Sequence, residues 1–144
     1  MSNEKQTLIF IVDDDALYLK SLEIEFSQNN DSEVKTFSTG EQCIENIAEN
    51  PDIIILDYYL NSIDKDAIDG LQTLDKIKSK SPQIPVIMLS SQDKIEVAVN
   101  CLRHKALDYF VKSETAYIRL EKAIIDIQHN QKVQKTLNWY MDNA

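Results

Sequence analysis

The sequence predicts an α/β protein: a doubly wound, five-stranded parallel sheet in which each strand is followed by a helix. Three observations carry that expectation. "TLIFIV" (7–12), "IIIL" (53–56) and "VIMLSS" (86–91) are apolar runs rich in branched residues, as strands covered on both faces require. The segments between them repeat apolar residues at helical spacing. Strand-like and helix-like segments also alternate five times. That pattern puts helices on both faces of a parallel sheet, and right-handed crossovers then leave few windings.

Taken in order, the first strand leads into "DALYLKSLEIEFSQNN", where Leu19, Leu22 and Phe26 recur at helical spacing before a polar turn. "EVKTF" (33–37) alternates enough to be a strand, and "STGEQCIENIAEN" reads as a capped helix closed by Pro51. "IIIL" is the next buried strand and runs straight into Asp57. A polar stretch over 61–69 then leads to Gly70 and the helix "LQTLDKIKSK", and "SPQIP" turns the chain into the fourth strand. "DKIEVAVNCLRHKA" puts Ile95, Ala98, Val99 and Leu102 on one helical stripe. "DYFV" (108–111) is a short last strand, and "ETAYIRLEKAIIDIQHNQ" a helix with Tyr117, Leu120, Ile124 and Ile127 toward the core. Val133, Leu137 and Tyr140 fit a continuing helix face. The expected division is therefore a domain over residues 1–128 and a helical extension or tail over 129–144.

The totals exclude several classes. With 144 residues, 43% hydrophobic and 27% charged, the chain has an ordinary soluble globular composition and enough length for one core. A net charge of −9, from 24 acidic against 15 basic residues, argues against nucleic acid or an anionic membrane as partner. "MSNEKQTLIF" lacks the basic and apolar regions of a signal peptide, and no apolar run approaches the roughly 18 residues of a spanning helix. Cys43 and Cys101 lie far apart, outside any CxxC arrangement, as free thiols of a reducing cytoplasm do. The two histidines, His104 and His129, fall on helices away from the strand ends and are expected to be solvated.

In open sheets of this kind the site lies beyond the carboxyl ends of the strands. The residues there are Asp13, Asp14 and Asp15, then Asp57, then Ser90 and Ser91, then Lys112 and Ser113. Several carboxylates on one rim repel one another, and a divalent cation removes that penalty. The ligands on offer are hard oxygens with no histidine or cysteine among them, which favours Mg²⁺ or Mn²⁺ over zinc. Plainer readings compete at each position. "VDDD" also suits a helix N-cap with acids at the dipole. Ser90 could be a cap, Lys112 a surface lysine, and Tyr109 a packing residue.

Together, "FIVDDD", "IIILDYYL", "VIMLSS" and "DYFVK" resemble the receiver domain of two-component response regulators, over residues 7 to about 128. Each motif alone is weak; four in register are specific. The resemblance implies a flavodoxin- or CheY-like (βα)5 fold with strand order 2-1-3-4-5. It implies that Asp57 is the phosphoacceptor, attacking a phosphohistidine on a sensor histidine kinase or histidine phosphotransfer protein. Asp14 would bind Mg²⁺ directly and Asp13 mainly through water, with Asp57 and the backbone carbonyl of Tyr59 completing the protein ligands. Ser90 and Lys112 would each hold a phosphoryl oxygen, and Tyr109 would be the aromatic switch. Such a protein is a signalling phosphoacceptor with its own Mg²⁺-dependent phosphotransfer and autodephosphorylation chemistry, rather than an enzyme. Its output would be a conformational change of the helix 4, strand 5 and helix 5 face, read by a downstream protein target. Homodimerisation through the last helices is compatible with that output, and no output domain is expected in the 144 residues.

The chain departs from the family pattern in three places. Ser113 replaces the proline that usually follows the lysine, the loop from Asp57 to Gly70 is longer than usual and lacks Met-Pro, and Tyr59 and Gln92 occupy positions that tune autodephosphorylation. Rival classes fit less well. A haloacid-dehalogenase-type phosphatase needs a second aspartate where Tyr59 stands, and a flavodoxin-like cofactor binder would meet repulsion from "DDD" at its phosphate loop. A P-loop nucleotidase has no GxxxxGK[ST] to build on. The serious alternative is an unphosphorylated receiver-fold scaffold acting only by protein–protein contact.

Overall fold

A computed structural model describes residues 6–29 and 31–144. The first five residues, which bear on the reading of the N-terminus, and Asn30 of the expected polar turn lie outside them. Strands β1 (Thr7–Val12), β2 (Ser32–Phe37), β3 (Ile53–Asp57), β4 (Val86–Ser90) and β5 (Asp108–Val111) alternate with five helices. These are α1 (Ala16–Ser27), α2 (Gly40–Glu45), α3 (Gly70–Lys80), α4 (Ile95–Arg103) and α5 (Ala116–Asp142). All pairings are parallel, in the order β2-β1-β3-β4-β5. The doubly wound α/β fold anticipated from the apolar runs is the one found.

β3 and β4 are buried from end to end, and β1 all but its first residue, which explains why they carry no alternating polar face. Phe10, Val12, Ile54, Leu56 and Met88 point to one side and form a cluster with Cys43, Ile47, Leu74, Ile77 and Cys101. Phe10 meets Phe37 edge-on at 4.8 Å between ring centroids. By the strand period, Ile9, Ile11, Ile55 and Ile87 face the other way. α1, with Leu22 and Phe26 buried, packs along β1 and β2.

The helices depart from expectation in two informative ways. The segment before Pro51 is not one helix. α2 stops at Glu45, a 3-10 turn covers Ile47–Glu49, and Asn50 adopts the left-handed conformation at φ 59°. The residue before a proline avoids helical backbone, and asparagine tolerates positive φ. On α4 the stripe read from Ile95, Val99 and Leu102 points outward, with Ile95 76% exposed. Cys101 and the half-buried Val97 form the inward face instead. Two apolar arcs compete on that short helix, and periodicity alone does not choose between them. α5 runs unbroken for 27 residues.

The chain divides into two compact units between Ser113 and Glu114. In the second unit, Ala116, Leu120, Ile124 and Ile127 are the buried positions of α5, Tyr117 is half-buried, and every residue from 129 onward is exposed. No helix among the described residues is long and apolar enough to cross a membrane.

Candidate functional site

The sheet order reverses beside β1, since β2 lies on one side of it and β3 on the other. Successive crossovers part there and leave a crevice beyond the strand ends. Strand register brings the rim residues level: Val12 pairs with Leu56, Asp57 with Leu89, and Ser90 with Val111. Backbone hydrogen bonds continue the ladder into the site. Asp13 N–H donates to Phe37 O at 3.0 Å, Tyr58 N–H to Leu89 O at 2.8 Å, and Lys112 N–H to Ser90 O at 2.7 Å.

One carboxylate oxygen each from Asp13, Asp14 and Asp57 lies within 4.8 Å of the other two. Asp13 and Asp57 are buried, and Asp14 is half-buried. The Lys112 ammonium stands 2.7 Å from Asp13 Oδ2 and 3.4 Å from Asp57 Oδ1. Burial, then repulsion from Asp13, pushes the Asp57 carboxyl up to about 8, against the opposing pull of Lys112 and the Tyr59 N–H. Burial pulls the Lys112 ammonium down, but the hydrogen bond to Asp13 and the charge on Asp57 outweigh it, so the net displacement is upward. One ammonium against three converging carboxylates leaves the cluster anionic. Its oxygen-only donor set fits a hard divalent cation such as Mg²⁺.

Asp15 does not join the cluster. Its Oδ1 accepts from the Leu17 and Tyr18 N–H groups at 3.1 and 3.2 Å, capping α1, while its own N–H donates to Asp13 Oδ1 at 2.9 Å. The cap reading of "VDDD" thus falls to Asp15, while Asp13 and Asp14 converge with Asp57. Ser90 is fully buried, and its Oγ accepts from Gln92 N–H at 3.1 Å. It is not the cap of α4, whose N-cap residue is Lys94. Tyr109 is half-buried against the core cluster, and its hydroxyl donates to the Gln92 carbonyl. Ser91 and Ser113 are exposed, and the Lys112–Ser113 peptide is trans. His104 is not simply solvated: its Nδ1 lies 2.8 Å from Asp75 Oδ1. His129 is exposed on α5.

The response regulator receiver domain family matches residues 9–125. The chain is a response regulator receiver domain. This receiver is 30% identical to the transcriptional regulatory protein ZraR of Escherichia coli (strain K12) over 119 residues, 81% of this chain and 26% of that protein. To the DNA-binding transcriptional regulator NtrC of the same strain it is 29% identical over 129 residues, 87% of this chain and 26% of NtrC. The receiver thus spans about a quarter of the length of these relatives. The CheY-like response regulator receiver domain protein of Methanospirillum hungatei JF-1 aligns at a TM-score of 0.75 and 25% identity, over 89% of this chain and 98% of that one. Receivers of this kind belong to two-component signalling.

Three further residues of the receiver's site are not assigned to it by the sequence. The first is Ser62 in the long polar loop, whose N–H donates to Asp14 Oδ2 at 3.0 Å and brings that loop onto the carboxylate cluster. The loop is also held by Ile68 N–H to Glu41 Oε2 at 3.2 Å, and it ends on Asp69, which forms a capping box with Gln72. The second is Gly70, whose N–H donates to Tyr58 O at 3.0 Å. A Cβ there would stand 2.3 Å from Asp57 O and 2.6 Å from Tyr58 O, so the close backbone approach excludes any side chain. The third is Tyr18, whose ring lies under the Lys112 ammonium at 4.5 Å from its centroid. Its place in the first turn after a capping aspartate at a strand end was the available clue.

Proposed function

We propose that Asp57 of this receiver accepts a phosphoryl group from a phosphohistidine on a sensor histidine kinase or histidine phosphotransfer protein. The observation that carries the reading is a buried carboxylate at the end of β3, 3.4 Å from one ammonium and clustered with two further carboxylates. An Asp57 carboxylate oxygen attacks phosphorus, and the bond from phosphorus to the imidazole nitrogen breaks with its electron pair left on nitrogen. Phosphoryl transfer of this kind depends on alignment and positive charge around the equatorial oxygens. Lys112 supplies one such charge and the Tyr59 N–H holds Asp57 in place. Asp13, Asp14, Asp57 and the Tyr59 carbonyl are the groups that hold Mg²⁺, or Mn²⁺. When bound, that cation offsets the anionic charge of the cluster and the phosphoryl oxygens.

After transfer, the new oxygens add about −1.5 to −2 charge at neutral pH. Ser90 Oγ, which accepts from Gln92 N–H, keeps its own proton to donate to one oxygen, and Lys112 pairs with another. Tyr109 reads the change because its hydroxyl bonds Gln92, the residue that also donates to Ser90. The shift passes to α4 and β5 and from there to a downstream protein target in the cytoplasm. Residues 1–128 act as the signalling domain and 129–144 as its helical extension. Autodephosphorylation by water returns the site to its starting state.

Acetyl phosphate with Mg²⁺, followed by intact-mass measurement, tests the reading on wild type and Asp57→Asn. One phosphoryl adduct is expected on wild type, none on the variant, and none when Mg²⁺ is chelated. Unmodified wild type under several donors would return the protein to the class of receiver-fold scaffolds.

A further inference from the structure

Among the described residues, Asp13, Asp57 and one aromatic ring meet the Lys112 ammonium, and Asp13 and Asp57 belong to the carboxylate cluster. We infer that Tyr18 is a positioning residue for phosphoryl transfer, its ring face holding the Lys112 ammonium over the Asp57 carboxylate. This rests on the reading of Asp57 as phosphoacceptor.

The geometry begins in the backbone. β1 delivers Asp13, whose Oδ1 takes the Asp15 N–H at 2.9 Å. Asp15 then caps α1 and takes the Tyr18 N–H at 3.2 Å, so the first helical turn is tied to the rim. The half-buried Tyr18 ring lies 4.5 Å from Lys112 Nζ, inside the roughly 6 Å at which a cation feels the negative face of an aromatic ring. Burial, the largest influence, raises the Tyr18 phenol; Lys112 lowers it, and Asp13 and Asp57 raise it, so the phenol lies within the field of these three groups.

The contact matters because Lys112 has a competing partner. At 2.7 Å its ammonium sits closer to Asp13 Oδ2 than to Asp57 Oδ1 at 3.4 Å. Four methylene groups and free rotors would let it follow Asp13. A ring face is a non-ionic partner that does not repel an incoming phosphoryl group. It limits the ammonium's excursions while the carboxylates exchange for phosphoryl oxygens, and it keeps water off one side of the charge. The ring face does this work and the hydroxyl does not, so phenylalanine should serve and an aliphatic side chain should not.

The test compares Tyr18→Phe and Tyr18→Leu, with Tyr18→Met as a second aliphatic variant in case leucine fails to fold. Each is made in wild type and in Lys112→Met, and the phosphorylation rate with acetyl phosphate and Mg²⁺ is measured by intact mass. We expect Tyr18→Phe within about twofold of wild type and the aliphatic variants about three- to tenfold slower, the size of a single partly desolvated cation–ring contact. In the Lys112→Met background the aliphatic changes should have no further effect, since the partner is already gone. Independently of phosphorylation, the ring current should shift the Lys112 ε-methylene protons upfield in wild type and Tyr18→Phe but not in Tyr18→Leu.

Aliphatic variants at the wild-type rate, an equal loss in Tyr18→Phe, or a loss that persists without Lys112 would each overturn the inference. So would unshifted Lys112 ε-protons in wild type. A wild type that shows the ring-current shift but takes no phosphoryl group would sink the phosphoacceptor reading, and with it any role for Tyr18 in transfer. The failure would then lie in that reading and not in the Tyr18–Lys112 contact.

Discussion

Asp57→Asn removes the charge that the folded site tolerates least, and the gain can be worked from the structure. The fold pushes the Asp57 carboxyl from an ordinary 3.8 up to about 8, chiefly through burial and then through Asp13. At about 1.36 kcal/mol per unit, holding it ionised above that range costs at most about 5–6 kcal/mol. That figure already contains the pull of Lys112, but asparagine still buries a polar amide beside Asp13, which has its own desolvation cost. The net stabilisation expected at pH 9 without divalent cations is therefore smaller, about 2–4 kcal/mol. The sign follows from the upward displacement. Between about 4 and 8 the folded carboxyl keeps a proton that the unfolded chain has released. Its contribution is fully present below the unfolded value and disappears as pH rises through the folded one. Urea unfolding in chelator from pH 5 to 9 checks this. The two proteins should differ least at pH 5 and diverge as pH rises toward 8, with the wild type weaker, and Mg²⁺ should close the gap by stabilising the wild type. Parallel curves at every pH, with no advantage for asparagine at pH 9, would refute the electrostatic reasoning.

Other expected outcomes follow from the same geometry. Mg²⁺ at a hundredfold excess over its dissociation constant should raise wild-type stability by about 2.7 kcal/mol, and Asp14→Asn should lose most of that gain in a thermal scan. Gly70→Ala should cost at least about 1–3 kcal/mol in denaturant titration, because its Cβ would press on the Asp57 and Tyr58 carbonyls; an unchanged midpoint would contradict the close approach. Asp15→Ala should cost about 1 kcal/mol through loss of the α1 cap, measured in the same way. Tyr59→Gly should shorten the lifetime of the phosphorylated protein several-fold in a decay time course, if the bulky, half-buried side chain two positions after the phosphoacceptor obstructs attacking water. Decay no faster than wild type would count against that obstruction.

The sheet and its rim were legible because they depend on patterns one strand long. "TLIFIV" coincides with β1, "DYFV" with β5, and "IIIL" needed only Asp57 added to become β3. Once parallel strands are placed, Asp13, Asp57, Ser90 and Lys112 must share an edge. Side-chain allegiance within that edge was less legible. Nothing in "VDDD" says that Asp15 turns back to cap α1 while Asp13 and Asp14 converge with Asp57. The outward stripe of α4 failed for a different reason: Ile95, Val99 and Leu102 compete with Val97 and Cys101, and only the neighbouring strands decide. Tyr18 and Ser62 were missed because their partners lie 94 and 48 positions away in sequence, beyond any local signal.

The neck of the long loop has a practical corollary. With Tyr58 and Gly70 joined by a backbone hydrogen bond, the intervening residues form a closed excursion whose feet are fixed by the sheet and by α3. The entropy of closing such an excursion grows only logarithmically, by about 0.6 kcal/mol for each doubling of its length. Extra residues beyond Ser62 can therefore be accommodated cheaply, with the aspartate at the base undisturbed. Here a reporter tag or a foreign recognition peptide could be grafted into the receiver next to its carboxylate cluster.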